Sequence, residues 1–301
     1  MAEWKFNTKK TKKRFDTLRD YYKAHGLSAD DFHCKYFSEC SSSQKTGTKK
    51  QYAGGTAGLM PFYDTEYNGK EVRLLVIGEE TGYMANTRYG TFDNLDIHQR
   101  TILNCTNWRG KTNHIKGTLI TLQRLFEVET EYIYASFALS NLLRCAFQLA
   151  TNMNSVSKVT DTPIMRRNCL NYLIDEIKIL EPTLIIVQGS WALGGQTPLI
   201  TRLAQSLGTT ATLLKGNKDN KYGLYKLNSF MCITTHHPSL YGRWIANWSN
   251  DSLWPMIDYL KETGYLPRAG KSSTAEYEKT VKPVVDSLIK GMPSNDLLRQ
   301  K

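Results

Sequence analysis

Two short apolar runs constrain this chain more than any other feature. Val72–Ile77 (VRLLVI) stops at Gly78, and Thr183–Val187 (TLIIV) follows Pro182. Within them LLVI at 74–77 and LIIV at 184–187 are uninterrupted, which suits strands buried on both faces, as in a parallel sheet. Tyr132–Leu139 (YIYASFAL) and Ser229–Thr234 (SFMCIT) read as two more. Between them, residues 116–127, 164–180 and 251–263 repeat apolar side chains at helical spacing, and Pro182 closes the second helix. Strands alternating with helices predict an α/β chain: a three-layer α/β/α sandwich with a four-stranded, mainly parallel central sheet.

The flanks read differently. Residues 1–26 predict a basic helix, with Lys9, Lys10, Lys12, Lys13 and Arg14 crowded beside Phe15, Leu18 and Tyr22. It is either a docked amphipathic helix with solvated charges or an arm laid along phosphates. Residues 41–56 are polar and Gly-rich and read as a loop or linker. A helix at 274–290 reads as part of a peripheral tail. The expected organisation is an arm and linker over 1–56, a core domain over 57–265 and a helical tail over 266–301.

Charge narrows the partner. The chain has 39 basic and 28 acidic residues, a net charge of +11, which favours a polyanion and nucleic acid first. A hydrophobic content of 41% excludes wholesale disorder. No apolar run approaches the roughly 20 residues that cross a bilayer, so no membrane role is expected. The basic N-terminus has no apolar stretch behind it, unlike a secretory signal. Six Cys in 301 residues do not make a disulfide scaffold. A cytoplasmic monomer is the expectation, and in that reducing setting clustered Cys are more often metal ligands than bridges.

In parallel α/β sheets ligands sit beyond the carboxyl ends of the strands. The residues there are Gly78-Glu79-Glu80-Thr81-Gly82, Ser140-Asn141, Gln188-Gly189-Ser190 and Thr235-His236-His237-Pro238-Ser239. Two carboxylates, an amide and two imidazoles are thus predicted to converge on one edge.

With those residues in place, the chain resembles the uracil-DNA glycosylase superfamily, most closely its iron–sulfur branch. Four segments carry the likeness. LLVIGEETG at 74–82 is similar to the branch's strand plus G-E-x-P-G loop, with Thr81 where the family has Pro. Asn141-Leu142-Leu143-Arg144-Cys145 is similar to T-N-x-x-K-C. Cys169 followed by EPTLIIVQGSWAL at 181–193 is similar to C-x-x-x-L…P-x-x-I-x-x-L-G-x-x-A. THHPSLYGR at 235–243 is similar to T-Y-H-P-S/A-x-L-L-R.

The resemblance implies a DNA partner and hydrolysis of an N-glycosidic bond in a flipped nucleotide. It makes Glu79 the carboxylate near C1′, with Glu80 the second choice, and His237 the donor to the base's O2. Asn141 becomes the base reader, since an amide offers both a donor and an acceptor. Gly78, Gly82, Tyr83 and Ala85 would line the base. Ser190, Ser239, Leu240, Tyr241 and Arg243 would contact DNA, the last three as an apolar wedge beside a cation. Cys34, Cys40, Cys145 and Cys169 would hold an iron–sulfur (4Fe–4S) cluster of structural use only, although the first pair is C-x5-C and not C-x2-C.

Two departures bear on the substrate. Gly82 stands where the best-known branch has a Tyr that excludes thymine. Tyr83-Met84-Ala85-Asn86 replaces the iron–sulfur branch's acidic run. An insert over roughly 86–115 follows. The expected base is therefore a pyrimidine with a bulky C5 group. Some antiphage glycosylases of this superfamily remove such a base, glucosylated hydroxymethylcytosine, from phage DNA. A uracil-DNA repair enzyme gated by Tyr83 and a catalytically silent nucleic-acid binder are the alternatives. With no lysine placed as a Schiff-base nucleophile, strand cleavage is not expected.

Overall fold

The structure, a computed structural model, describes residues 3–27, 32–44, 48–53, 58–78, 113–149, 159–160, 162–189, 199–217, 222–238, 252–268 and 273–290. In chain order these hold β1 (Trp4–Phe6), α1 (Thr8–Ala24), α2 (Phe37–Ser42), β2 (Thr48–Ala53), β3 (Gly58–Leu59), β4 (Thr65–Tyr67), β5 (Lys70–Val72) and β6 (Leu74–Gly78). Next come α3 (Asn113–Phe126), a 3₁₀ helix (Glu131–Ser136), β7 (Phe137–Asn141), β8 (Cys145–Leu149), β9 (Val159–Thr160) and α4 (Pro163–Leu180). The remainder is β10 (Leu184–Gln188), α5 (Leu199–Ser206), β11 (Ala211–Asn217), β12 (Tyr222–Leu227), β13 (Phe230–Thr235), α6 (Trp254–Glu262) and α7 (Ser273–Lys290).

The main sheet is mixed and has seven strands, in the order β11-β12-β13-β10-β6-β7-β3. The four expected strands are contiguous and mutually parallel within it, β13-β10-β6-β7. Antiparallel strands extend both sides: β12 and β11 beyond β13, and β3 beyond β7. The sheet is thus wider and less parallel than the sequence predicts. The β11–β12 hairpin accounts for most of the difference.

Strand alternation feeds two separate cores. Leu75, Ile77, Ile185, Val187 and Cys232 face one layer, with α1, α4 and α5. Leu74, Val76, Leu184, Ile186 and Ile233 face the other, with α3, α6 and α7. A sheet covered on both faces is what uninterrupted apolar strands require. Crossing from β6 to β7 through α3, and from β7 to β10 through α4, puts the first two connecting helices on opposite faces. That follows when both crossovers are right-handed and the strand order reverses at β6.

Several elements differ from expectation. Tyr132–Ser136 is not strand but 3₁₀ helix, started by Thr130, whose hydroxyl accepts from Tyr132 N–H at 3.3 Å. The strand runs instead to Asn141, making that residue part of the ladder opposite Gly78. The expected loop at 41–56 contains β2, which pairs with β8. A left-handed residue, Glu181 (φ 47°), ends α4 one position before Pro182. The C-terminal tail is not peripheral, since Tyr277, Val281 and Val285 are buried in the second core.

The N-terminal segment is equally integrated. β1 pairs with β4. Trp4 stacks on Tyr67 (4.1 Å between centroids) and meets Tyr277 edge-on (5.0 Å). Arg14 is buried and joins three elements: its guanidinium reaches Asp64 (3.2 Å), the carbonyl of Ile179 (2.6 Å) and Glu181 (2.8 Å). The Arg14 hydrogen bond holds the Glu181 carboxyl below the usual carboxylate range.

Candidate active site at the strand ends

The four parallel strands end level with one another. Gly78 sits opposite Asn141, and Gln188 opposite Thr235. A residue two places beyond another in a strand shares its face. Gly78, Gln188 and Thr235 therefore follow Val76, Ile186 and Ile233 onto the α3 face. Asn141 lies two places beyond Leu139, which packs on the same core. Gln188 fits this placement, its buried amide donating to Thr118 of α3 at 3.1 Å. The strand order reverses between β6 and β10, and sheets of this kind take ligands outside the strand ends at such a point.

Asn141 is 7% exposed, and its side chain lies against Gly78. A Cβ placed on Gly78 would come within 2.7 Å of Asn141 Oδ1. Glycine there is a matter of close approach and lets the amide cross the strand end. Leu142 N–H donates to the Gly78 carbonyl at 2.9 Å, holding the chain in register just past the strands. His236 and His237 are half-buried in the two positions beyond β13, followed by buried Pro238. The hydroxyl of Thr235 is buried and has no hydrogen-bond partner among the described residues.

Of the expected site residues, the structure thus brings Gly78, Asn141 and His237 to one edge of the sheet. Glu79, Glu80, Gly82, Tyr83 and Ala85 lie outside the described residues, as do Ser190, Ser239, Leu240, Tyr241, Arg243 and most of the insert.

Beneath Asn141, on the opposite face, is a buried ionic network that sequence reasoning missed. Glu176 of α4 accepts from Ser140 Oγ at 2.7 Å, from the phenol of Tyr22 and from Arg144 Nη1 at 2.6 Å. Arg144 is 1% exposed and Glu176 0%. Burial opposes charge on both partners: it raises the Glu176 carboxyl despite the facing guanidinium, whereas on Arg144 the combined pull of Glu176, Tyr22 and Cys169 outweighs it and holds the guanidinium above its ordinary range. A signal existed: Cys169, Leu173, Glu176 and Leu180 share one helical spacing, so a carboxylate falls on the apolar stripe of α4.

Cys34, Cys40, Cys145 and Cys169 are all buried free thiols in the same core. Cys169 Sγ accepts the Arg144 backbone N–H at 3.4 Å, and Cys40 Sγ the Asn168 amide at 3.6 Å. Burial pushes the Cys169 thiol up to about 11 and raises Cys40 as well, with neighbouring thiols adding to both. The donor set suits an iron–sulfur cluster in kind: four thiols, two of them receiving N–H groups. In spacing, no three His, Cys, Asp or Glu among the described residues are arranged to hold a metal ion. Cys232 is core, inside β13.

The basic stretch of α1 sits elsewhere. Lys10 reaches Asp64 (3.8 Å) and Glu71 (3.6 Å), and Arg14 reaches Glu181. Glu71 precedes β6 and Glu181 precedes β10, so this half of α1 lies at the amino ends of the strands. Lys9, Lys12 and Lys13 are exposed there, and Lys12 pairs with Asp16 at 2.7 Å. If DNA meets the carboxyl ends of the strands, as the resemblance implies, reversing Lys9, Lys12 and Lys13 to Glu is expected to leave the salt dependence of its binding unchanged. Neutralising one phosphate fewer flattens the slope by about one, and such flattening in a salt titration would put the DNA backbone along α1.

Among the described residues no helix is long and apolar enough to cross a membrane. No family model matches the chain, and the search of curated proteins finds no relative.

Proposed function

We propose that this chain is a monofunctional DNA glycosylase that hydrolyses the N-glycosidic bond of a flipped pyrimidine carrying a C5 substituent. The observation that carries this is the meeting of Gly78, Asn141 and the Thr235–His237 segment at one edge of the sheet, with the Asn141 amide laid over Gly78. The fold this reading implies is the three-layer arrangement of the uracil-DNA glycosylases, extended here by the β11–β12 hairpin.

Breaking the bond leaves a cationic, oxocarbenium-like sugar and sends the bonding electrons onto the base. Donors aimed where that negative charge develops give the largest single acceleration. His237 is the donor to the base's O2, and Asn141 reads the hydrogen-bonding edge. Glu79, the next residue after Gly78 in the chain, is the carboxylate that offsets the sugar's positive charge and orients the water that attacks C1′. The water's oxygen bonds to C1′, its proton leaves to the carboxylate or solvent, and the base departs. Uracil and cytosine present opposite donor–acceptor edges, so the amide orientation that reads one rejects the other.

The same reading implies a structural 4Fe–4S cluster on Cys34, Cys40, Cys145 and Cys169. It would tie the N-terminal segment to the start of β8 and to α4 and take no part in hydrolysis. Loading requires the thiols to draw together and lose their protons.

Base release read by mass spectrometry tests the proposal on three DNAs: uracil-containing, unmodified, and phage DNA with glucosylated hydroxymethylcytosine. The sugar-bearing base alone should appear, and Glu79→Ala should abolish it while DNA binding persists. Release of uracil alone would make this a repair enzyme. Release of nothing, with DNA still bound, would leave a binding module.

A further inference from the structure

The last two side chains of β7 point to opposite faces. Asn141 lies on the α3 face and Ser140 on the α4 face, where its hydroxyl donates to Glu176 at 2.7 Å. Three residues past Asn141 the chain returns to the same carboxylate, with Arg144 Nη1 at 2.6 Å from Glu176 and 3.4 Å from Ser140 Oγ. Arg144 is also tied by its backbone N–H to Cys169, two turns earlier on α4. The five residues Ser140–Arg144 are thus fastened to one helix at both ends, with Asn141 between the fastenings. Tyr22 of α1 donates to Glu176 from the far side.

The surroundings of this network are apolar: Leu142, Leu143, Leu173 and Ile177 belong to the same core. A buried ion pair taken by itself is no more stabilising than a matched pair of apolar side chains, although this carboxylate also takes the hydroxyls of Ser140 and Tyr22. What the ionic pair adds is direction, because hydrogen bonds to a carboxylate fix angles that aliphatic packing leaves loose.

We propose that Glu176 is a positioning residue for Asn141. Through Ser140 and Arg144 it holds the Ser140–Arg144 segment so that the amide lies over Gly78 before a base arrives. Glu176 itself touches no ligand, being fully buried on the opposite face of the sheet. This rests on the glycosylase reading only for what Asn141 contacts; that Asn141 is held through Glu176 is independent of it.

The test uses Ser140→Ala, which removes one hydroxyl from Glu176 and leaves the ion pair in place. Tyr22→Phe removes the hydroxyl on the α1 side and serves as the comparison. In ¹⁵N-labelled full-length protein, the Asn141 side-chain resonances are assigned by their loss in Asn141→Ala. Ser140→Ala should shift or broaden them, and Tyr22→Phe should perturb them less. Base release should fall about 10-fold in Ser140→Ala, in kcat more than in KM, as for a displaced reacting group. Adding Ser140→Ala to Asn141→Ala should cause no further loss. Unmoved Asn141 resonances in Ser140→Ala, or losses that multiply in the double variant, would overturn the proposal. If the wild-type protein releases no base, the glycosylase reading falls, and the resonances still decide whether Asn141 is held this way.

Discussion

Replacing Arg144 with Met is expected to destabilise the protein by about 3–5 kcal/mol, the cost of stranding one partner of a buried ion pair. The Glu176 carboxylate would keep its hydrogen bonds from Ser140 and Tyr22 but lose the cation that faces it. Methionine fills most of the guanidinium's volume, so little of the loss comes from a cavity. Urea unfolding gives the number directly. Replacing both partners, Arg144→Met with Glu176→Leu, should recover only part of it, because no buried charge is left but the buried hydroxyls of Ser140 and Tyr22 lose their acceptor. A single variant within about 1 kcal/mol of the wild type would put the pair in the class of exposed ion pairs, against the burial found here.

Gly78→Ala is expected to do the reverse: little to stability and much to function. The added methyl would meet Asn141 Oδ1 at 2.7 Å. That atom ends a side chain that can swing aside, so the fold absorbs the change cheaply. The amide, however, leaves the strand end where, in the proposed function, it reads the base. A displacement of about 1 Å at a reacting centre costs on the order of 100-fold in rate, and base release should fall by that much while the urea midpoint stays near wild type. Undiminished release would mean that Asn141 reads the base from some other position or not at all.

The parallel core was legible because its strands are buried on both faces. LLVI and LIIV leave no room for a solvated side, and the α/β alternation follows from them. The elements that escaped were those whose apolar residues are interrupted or whose helical start rests on local capping. β11 (ATLLKGN) and β12 (YGLYKL) break up their apolar residues with Lys and Gly around a K-D-N-K connection, with no Asn-Gly or Asp-Gly to mark the turn. Tyr132–Ser136 buries as continuously as a strand does, so periodicity cannot separate it from 3₁₀ helix, and only Thr130 hints at a helical start. The site was legible as a set of strand ends, since the ends of parallel strands share an edge whatever else the chain does. Its support was not. Glu176 reads as a surface charge until the spacing of Cys169, Leu173 and Leu180 is laid beside it. Arg14 reads as one more charge in a basic run, although it is fully used at the opposite end of the sheet.

The aromatic cluster around Trp4 carries a consequence for synthesis. Trp4 Nε1–H donates to the carbonyl of Ser273 at 3.2 Å, and Phe6 meets Tyr277 at 5.8 Å. β1 therefore leaves the ribosome 269 residues ahead of the Ser273 carbonyl that its Trp4 ring meets, and waits for α7 before its rings are covered. During translation β1 can pair with β4, but Trp4, Phe6 and Phe62 stay open to water and to chaperones until α7 emerges. Ribosome-bound chains stalled before Ser273 should expose that sticky face, and release of α7 from the exit tunnel should close it.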